Sequence, residues 1–268
     1  MAAEGNAAVK VKVALFDFDG TISTLRAGWE EVMAPMMMQA IAGDAVLSAG
    51  EKAELEREIA AYIDQSTGIQ TIYQMEWLVG KVREKGWNDK VLDGWGYKAE
   101  YNELLLLKVK ERISLLEKGE LQAEHYIMAG AVAFLQQLAA KGIDMYVASG
   151  TDHPDVVKEA EVLGVASYFK EIVGAPPGRA ECSKEKVIGD LIASRGFSGS
   201  ELVVIGDGKV EIRLAKENGG LALGLASDEE RREGINPVKE KRLAEAGADW
   251  IAGDFLDQAD WLRRLGFE

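Results

Sequence analysis

Three short apolar runs, at residues 11–16, 145–148 and 202–205, each stop abruptly at a cluster of acidic, hydroxyl and glycine residues. Buried strands of a parallel sheet have this pattern, because the loops that follow them emerge at one edge. Open α/β sheets bind their ligands at that edge. The first run leads into Asp17-Phe18-Asp19-Gly20-Thr21, the second into Ser149-Gly150-Thr151, and the third into Gly206-Asp207-Gly208-Lys209-Val210-Glu211.

In an extended chain Asp17 and Asp19 share one face, and two like charges that close are unstable alone. A divalent cation between them relieves this. So does a division of labour in which one carboxyl carries a proton for acid–base work and the other stays ionised as a nucleophile. Taken singly, Asp19-Gly20 and Asp207-Gly208 are ordinary turn formers. Ser149 to Asp152 before Pro154 equally suits a helix cap, and Lys184 a solvated helix position. Their order behind successive buried strands favours a site, since unrelated turns have no reason to recur there.

These stretches, in this order, resemble the haloacid-dehalogenase-like superfamily, specifically its phosphatases with a helical cap, of the phosphoglycolate phosphatase type. The resemblance makes Asp17 the nucleophile, Asp19 the acid and base, Ser149 the second-motif hydroxyl, and Lys184 the lysine of the segment from 184 to 192. It places Mg²⁺ on Asp17, Asp207, Glu211 and the main-chain carbonyl of Asp19. Glu211 departs from the pattern, since many members carry Asp there; a longer carboxylate still reaches a metal or its water. The residue chemistry agrees. Asp17, Asp207 and Glu211 are hard oxygen ligands, Ser149 with Gly150 and Thr151 offers neutral donors, and Lys184 offers a point charge to a phosphoryl group. Gly20 and Thr21 complete the expected phosphate loop. Arg26 and Trp29, where the chain leaves this loop, are candidate substrate contacts, or else Trp29 packs a hinge and Arg26 pairs with Glu30.

Between the first and second motifs, residues 30–42, 50–65, 67–85 and 98–118 carry helical spacing, punctuated at Gly43, Gly68, 86–88 and 94–96. This is similar to the family's inserted cap. The expected organisation is therefore a doubly wound, mostly parallel Rossmann-like α/β core at 1–24 and 123–268 with an all-helical cap at 25–122. Met36 to Met38 suits adaptable packing in that insertion. Later the pattern alternates: helices at 155–163, 183–195, 211–218 and 237–246, strands at 168–173, 202–205, 221–225 and 248–251, and a last helix from Asp257. Residues 174–178 read as a loop feeding Lys184.

At 268 residues, 47% of them apolar, the chain can bury a sizeable core. A net charge of −14 argues against nucleic acid or an anionic membrane as partner. It also opposes an anionic substrate at long range, so attraction has to be supplied locally. The single Cys182 excludes an intrachain disulfide and fits a reducing, cytoplasmic setting, with a loop thiol as its role. Residues 1–10 lack a secretory apolar stretch, and no run approaches a membrane span. No dinucleotide fingerprint, Walker loop or nucleophile elbow occurs, and His125 and His153 are too few for a histidine-rich zinc site.

The expectation is a Mg²⁺-dependent phosphatase acting on a small phosphorylated metabolite, a phospho-sugar or phospho-carboxylic acid, through an aspartyl phosphate on Asp17. A phosphomutase or phosphotransferase on the same core is the nearest alternative, followed by a non-catalytic phosphoacceptor. A dehalogenase releases halide without a proton and has little use for Asp19, Asp207 and Glu211 together. Monomer and homodimer are equally compatible with the sequence.

Overall fold

The computed structural model describes residues 10–67, 69–176 and 183–267, excluding the side chains of 183–185. Gly68, Pro177, Gly178, Cys182 and the side chain of Lys184, all used above, lie outside the described residues. The first strand is β1 (Val13–Phe16), followed by helices α1 (Glu30–Ala42), α2 (Ala49–Gln65), α3 (Thr71–Lys85) and α4 (Gly94–Glu117). Then come α5 (Ala131–Ala140), β2 (Asp144–Asp152), α6 (His153–Val162), β3 (Glu171–Ala175), α7 (Ser183–Arg195) and β4 (Leu202–Gly206). The chain closes with α8 (Lys209–Glu217), β5 (Leu221–Leu225), α9 (Pro237–Glu245), β6 (Trp250–Ala252) and α10 (Gln258–Arg264).

The six strands form one sheet in the order β3-β2-β1-β4-β5-β6, every neighbouring pair parallel. This is the doubly wound architecture expected from the sequence. Strand residues alternate between two apolar layers. Ala14 and Phe16 face Phe134 of α5, Val156 of α6 and Trp261 of α10. Val13 and Leu15 face Ile188 of α7, Ile212 of α8 and Leu243 of α9. Both faces being covered, every position of β1 is buried, and an apolar run is the only sequence that suits it.

The helices α1–α4 bury a third, separate cluster around Met33, Met37, Ile59, Leu78 and Tyr101. Met36 and Met37 lie in that cluster and Met38 packs against it. Among the described residues no helix is long and apolar enough to cross a membrane.

Three elements begin more than two residues from where the spacing puts them. Helix α4 begins at Gly94, because the Asp93 side chain accepts from the Gly96 amide at 2.7 Å and caps the glycine pair that reads as a break. Helix α3 begins only at Thr71, behind an extended Gln70. Strand β3 is displaced to Glu171–Ala175, so Gly174 and Ala175 are strand rather than loop, and residues 166–168 form a tight turn. Phe169, which supplies the apolar character of 168–173, instead packs its ring 5.9 Å from that of Phe16.

The aromatic layer on the α5 side generates a direct check of the core. Phe134 is fully buried, its ring 5.1 Å from both Phe255 and Trp261. Phe134→Ala is expected to cost about 3–5 kcal/mol in urea unfolding; a loss under about 1 kcal/mol contradicts this packing.

Candidate active site

Register sets the site. Phe16 pairs with Val147 on one side and Ile205 on the other, so Asp17, Ser149 and Asp207 follow these three residues at one edge of the sheet. The sheet order reverses between β1 and β4, and there the Asp17 amide donates to the Ile205 carbonyl at 2.9 Å. The loop after β1 is tight. The buried Phe18 holds it, its carbonyl accepting from the Ile22 and Ser23 amides, both at 2.9 Å. Gly20 has φ 72°, and a Cβ there would lie 2.4 Å from Asp207 Oδ2. Only glycine allows both the turn and the approach of Asp207.

A cavity of about 110 Å³ opens at this edge. That is small against the roughly 300–1,000 Å³ of sites for drug-sized ligands. The core side contributes Asp17, Asp19, Gly20, Ser149, Thr151 and Asp207; the helical insertion contributes Trp29, Gln74, Tyr101 and Asn102. The two sides touch closely. A Cβ on Gly150 would sit 3.3 Å from the Ile69 carbonyl oxygen.

Asp19 is held by hydroxyls. Its Oδ2 accepts from Thr151 Oγ1 at 2.7 Å and Ser149 Oγ at 3.3 Å, and Ser149 Oγ accepts from the Thr151 amide at 3.0 Å. Asp19 Oδ1 accepts no hydrogen bond from a described residue and lies 3.8 Å from Arg26 Nε. Asp17 Oδ1 accepts from the Phe18 amide at 2.8 Å.

Arg26 is buried and gripped by Glu159 through Nη2 at 2.6 Å and Nε at 3.0 Å, with Asp155 at 3.6 Å. Burial works against its charge, yet Glu159, Asp19 and Asp155 hold the guanidinium above its ordinary pKa. Burial pushes the Glu159 carboxyl up to about 7 while Arg26 pulls it back. The structure gives Arg26 this partner rather than Glu30. Trp29 both lines the cavity and packs on the insertion's core.

Asp207 meets a cation that the sequence did not announce. Lys239 Nζ donates to Asp207 Oδ2 at 2.7 Å, Glu229 Oε1 at 2.6 Å and Ser227 Oγ at 3.1 Å. Burial weighs against the Lys239 charge, but Asp207 and Glu229 hold its pKa above the ordinary value. Ser227 Oγ in turn donates to the Gly20 carbonyl at 2.6 Å. Arg242 donates to the Asp207 carbonyl at 3.2 Å and to Asp64 Oδ1 and Thr67 Oγ1 of the insertion at 3.1 and 3.2 Å. On the opposite side, Lys98 and Asn102 of α4 bond to Asp152.

Not every candidate reaches the cavity. Thr21 is buried, and its hydroxyl finds no hydrogen bond among the described residues. Glu211 is also buried, its stem lying on Gly206, where a Cβ would come within 2.4 Å of Glu211 Cγ. It lines a narrow gap together with Asp17, Leu15 and Ile188. Lys184 stands in the first turn of α7, with its side chain outside the described residues. His153 opens α6 with its Nδ1 3.4 Å from the Gly174 amide.

Among the described residues no three His, Cys, Asp or Glu side chains form a metal-binding group. Mg²⁺ does not require one. It takes one or two protein carboxylates and keeps water and phosphate oxygens in its other positions. Asp17 and Asp207, both buried and lining one cavity, with the Asp19 carbonyl, are a donor set of that chemistry.

Residues 11–219 match the sequence family described as haloacid dehalogenase-like hydrolase. A 5'-nucleotidase of Pseudomonas aeruginosa is 26% identical over 41% of this chain, a match that takes in about half, 51%, of that protein. A phosphoglycolate phosphatase of Pectobacterium atrosepticum is 21% identical over 78% of each chain. The solved structure of a predicted phosphoglycolate phosphatase from Haemophilus somnus superposes with a TM-score of 0.63 at 16% identity, covering 94% of this chain and 97% of that one. At that identity the superposition establishes the fold.

The Arg26–Glu159 pair yields a stability test. Glu159→Ala strands a buried guanidinium and is expected to cost about 3–5 kcal/mol in denaturant unfolding. A change under about 0.5 kcal/mol contradicts the pairing.

Proposed function

This chain belongs to the haloacid dehalogenase-like hydrolase family, and on that ground and the geometry of its cavity we propose that it is a Mg²⁺-dependent phosphatase of small phosphate monoesters. The observation that carries the reading is the meeting of Asp17, Asp19 and Asp207 on one small cavity where the sheet order reverses. Asp17 attacks phosphorus, breaking the ester bond and forming an aspartyl phosphate; Asp19 gives its proton to the departing oxygen. Asp19 then takes a proton from water, whose oxygen attacks the same phosphorus, and inorganic phosphate leaves with Asp17 restored. The hold of Ser149 and Thr151 on Asp19 Oδ2 supports this role, because it fixes the carboxyl while Oδ1 has no hydrogen-bond donor among the described residues.

Bound to Asp17, Asp207 and the Asp19 carbonyl, with Glu211 as a further direct or water-mediated ligand, Mg²⁺ would neutralise phosphoryl charge. Lys184 and the Gly20 and Gly150 backbone would add donors to the equatorial oxygens. The insertion, residues 25–122, is read as a lid. Its separate core and its polar bridges through Arg242 and Asp152 support that. Gln74, Tyr101 and Asn102 would then face the leaving group, and suit the hydroxyls of a phosphorylated sugar or carboxylic acid. Arg26 lines the cavity beside Asp19 while Glu159 engages it, so it would both orient Asp19 and meet the substrate.

A generic aryl phosphate assayed for released phosphate is the test. Chelation abolishes turnover and Mg²⁺ restores it, while Asp17→Asn folds normally and loses several orders of magnitude, because an amide cannot form the intermediate. Residual activity within about tenfold of wild type removes Asp17 from the nucleophile's role. With a sugar phosphate in place of the aryl ester, phosphate moved onto a second hydroxyl of the sugar, with none released, is the phosphomutase outcome.

A further inference from the structure

Lys239 has a position that the phosphatase reading alone does not require. It stands in the first turn of α9, behind Asn236, whose side chain accepts from the Val238 and Lys239 amides at 3.0 and 3.2 Å. The helix start therefore aims it at the sheet edge. Its side chain is buried, and its three donors are engaged by Asp207, Glu229 and Ser227. With no donor to spare, it has nothing to offer a phosphate oxygen, and it does not line the cavity. What it does occupy is Asp207 Oδ2, the oxygen that also limits the space at Gly20.

A carboxylate that already neutralises an ammonium is a weaker ligand for a second cation, because the two like charges then repel at short range. We propose that Lys239 is an internal counter-cation that competes with the divalent metal for Asp207: it holds the Asp207 side chain in place when metal is absent, and it passes toward Glu229 when metal binds. This rests on the assignment of Asp207 to Mg²⁺ above. Glu229 has the placement such a device needs. It lies in the loop after β5, lines the cavity beside Asp207, and holds the same Nζ at 2.6 Å. Lys239 is thus a positioning residue, acting through Asp207.

The test is calorimetric titration of Mg²⁺ into the substrate-free full chain at fixed ionic strength, paired with thermal unfolding in chelator. Lys239→Met is expected to bind Mg²⁺ about tenfold more tightly than wild type. Its unfolding midpoint in chelator should fall, since Asp207 and Glu229 lose their shared cation, and Mg²⁺ should recover more of that midpoint than it adds to wild type. Glu229→Gln has the opposite sign: Lys239 then belongs to Asp207 alone, and Mg²⁺ binds several-fold more weakly. Equal or weaker binding by Lys239→Met, or tighter binding by Glu229→Gln, overturns the competition. Should Lys239→Met not fold, Glu229→Gln decides alone. Wild type and both variants showing no Mg²⁺ binding overturns the metal assignment and this inference with it, whereas wild-type binding unchanged in the variants overturns only the inference.

Discussion

Asp17, Asp19 and Asp207 bring three carboxyl groups to one cavity, and the repulsion between them wherever two are ionised is what the surrounding structure offsets. Two such charges about 4 Å apart repel by about 4 kcal/mol at an effective dielectric of 20. The sheet allows no retreat, because register fixes the strands that lead to all three. Relief comes from neighbours. Arg26 approaches Asp19, Lys239 bonds Asp207, and hydroxyls of Ser149 and Thr151 hold Asp19. Each of the two cations brings its own carboxylate, Glu159 or Glu229, so the charge near the acids is balanced without creating a basic pocket. This fits a chain whose net charge of −14 offers no long-range pull on a phosphate. On the proposed function, attraction would arise within the cavity, from Mg²⁺ and from donors at the loop.

A second set of polar bonds ties the helical insertion to the sheet. Arg242 reaches from the Asp207 carbonyl to Asp64 and Thr67, and Asp152 at the end of β2 receives Lys98 and Asn102. The insertion is thus coupled to the backbone that carries the acids on both sides of the cavity.

The sheet was legible because burial on both faces forces apolar runs, and the site because acids and hydroxyls follow those runs. The helices of the insertion were legible from spacing except where a local bond decided, as Asp93 does for the start of α4. Strand β3 was misplaced because Phe169 is apolar for the sake of a ring contact, not a strand position. Glu159 and Lys239 left no signal. Each is a charged residue on a helix, and its partner in the site lies 133 or 32 positions away in sequence. Glu229 and Ser227 were findable in principle, since the loop after β5 opens at the same edge as those after β1 and β4. Glu211 follows Asp207 by one helical turn in sequence, but the spacing alone does not say that its stem packs on Gly206.

The central claim is that Asp17 becomes phosphorylated. Its most direct test is the intact mass of the Asp19→Asn protein, quenched in acid shortly after mixing with a phosphate monoester and Mg²⁺, because loss of the base slows hydrolysis of the intermediate. The account predicts a gain of one phosphoryl group, mapped by peptide analysis to Asp17 and abolished when Asp17→Asn is added. No gain under turnover conditions, or a phosphoryl group on Ser149 or another residue, contradicts it.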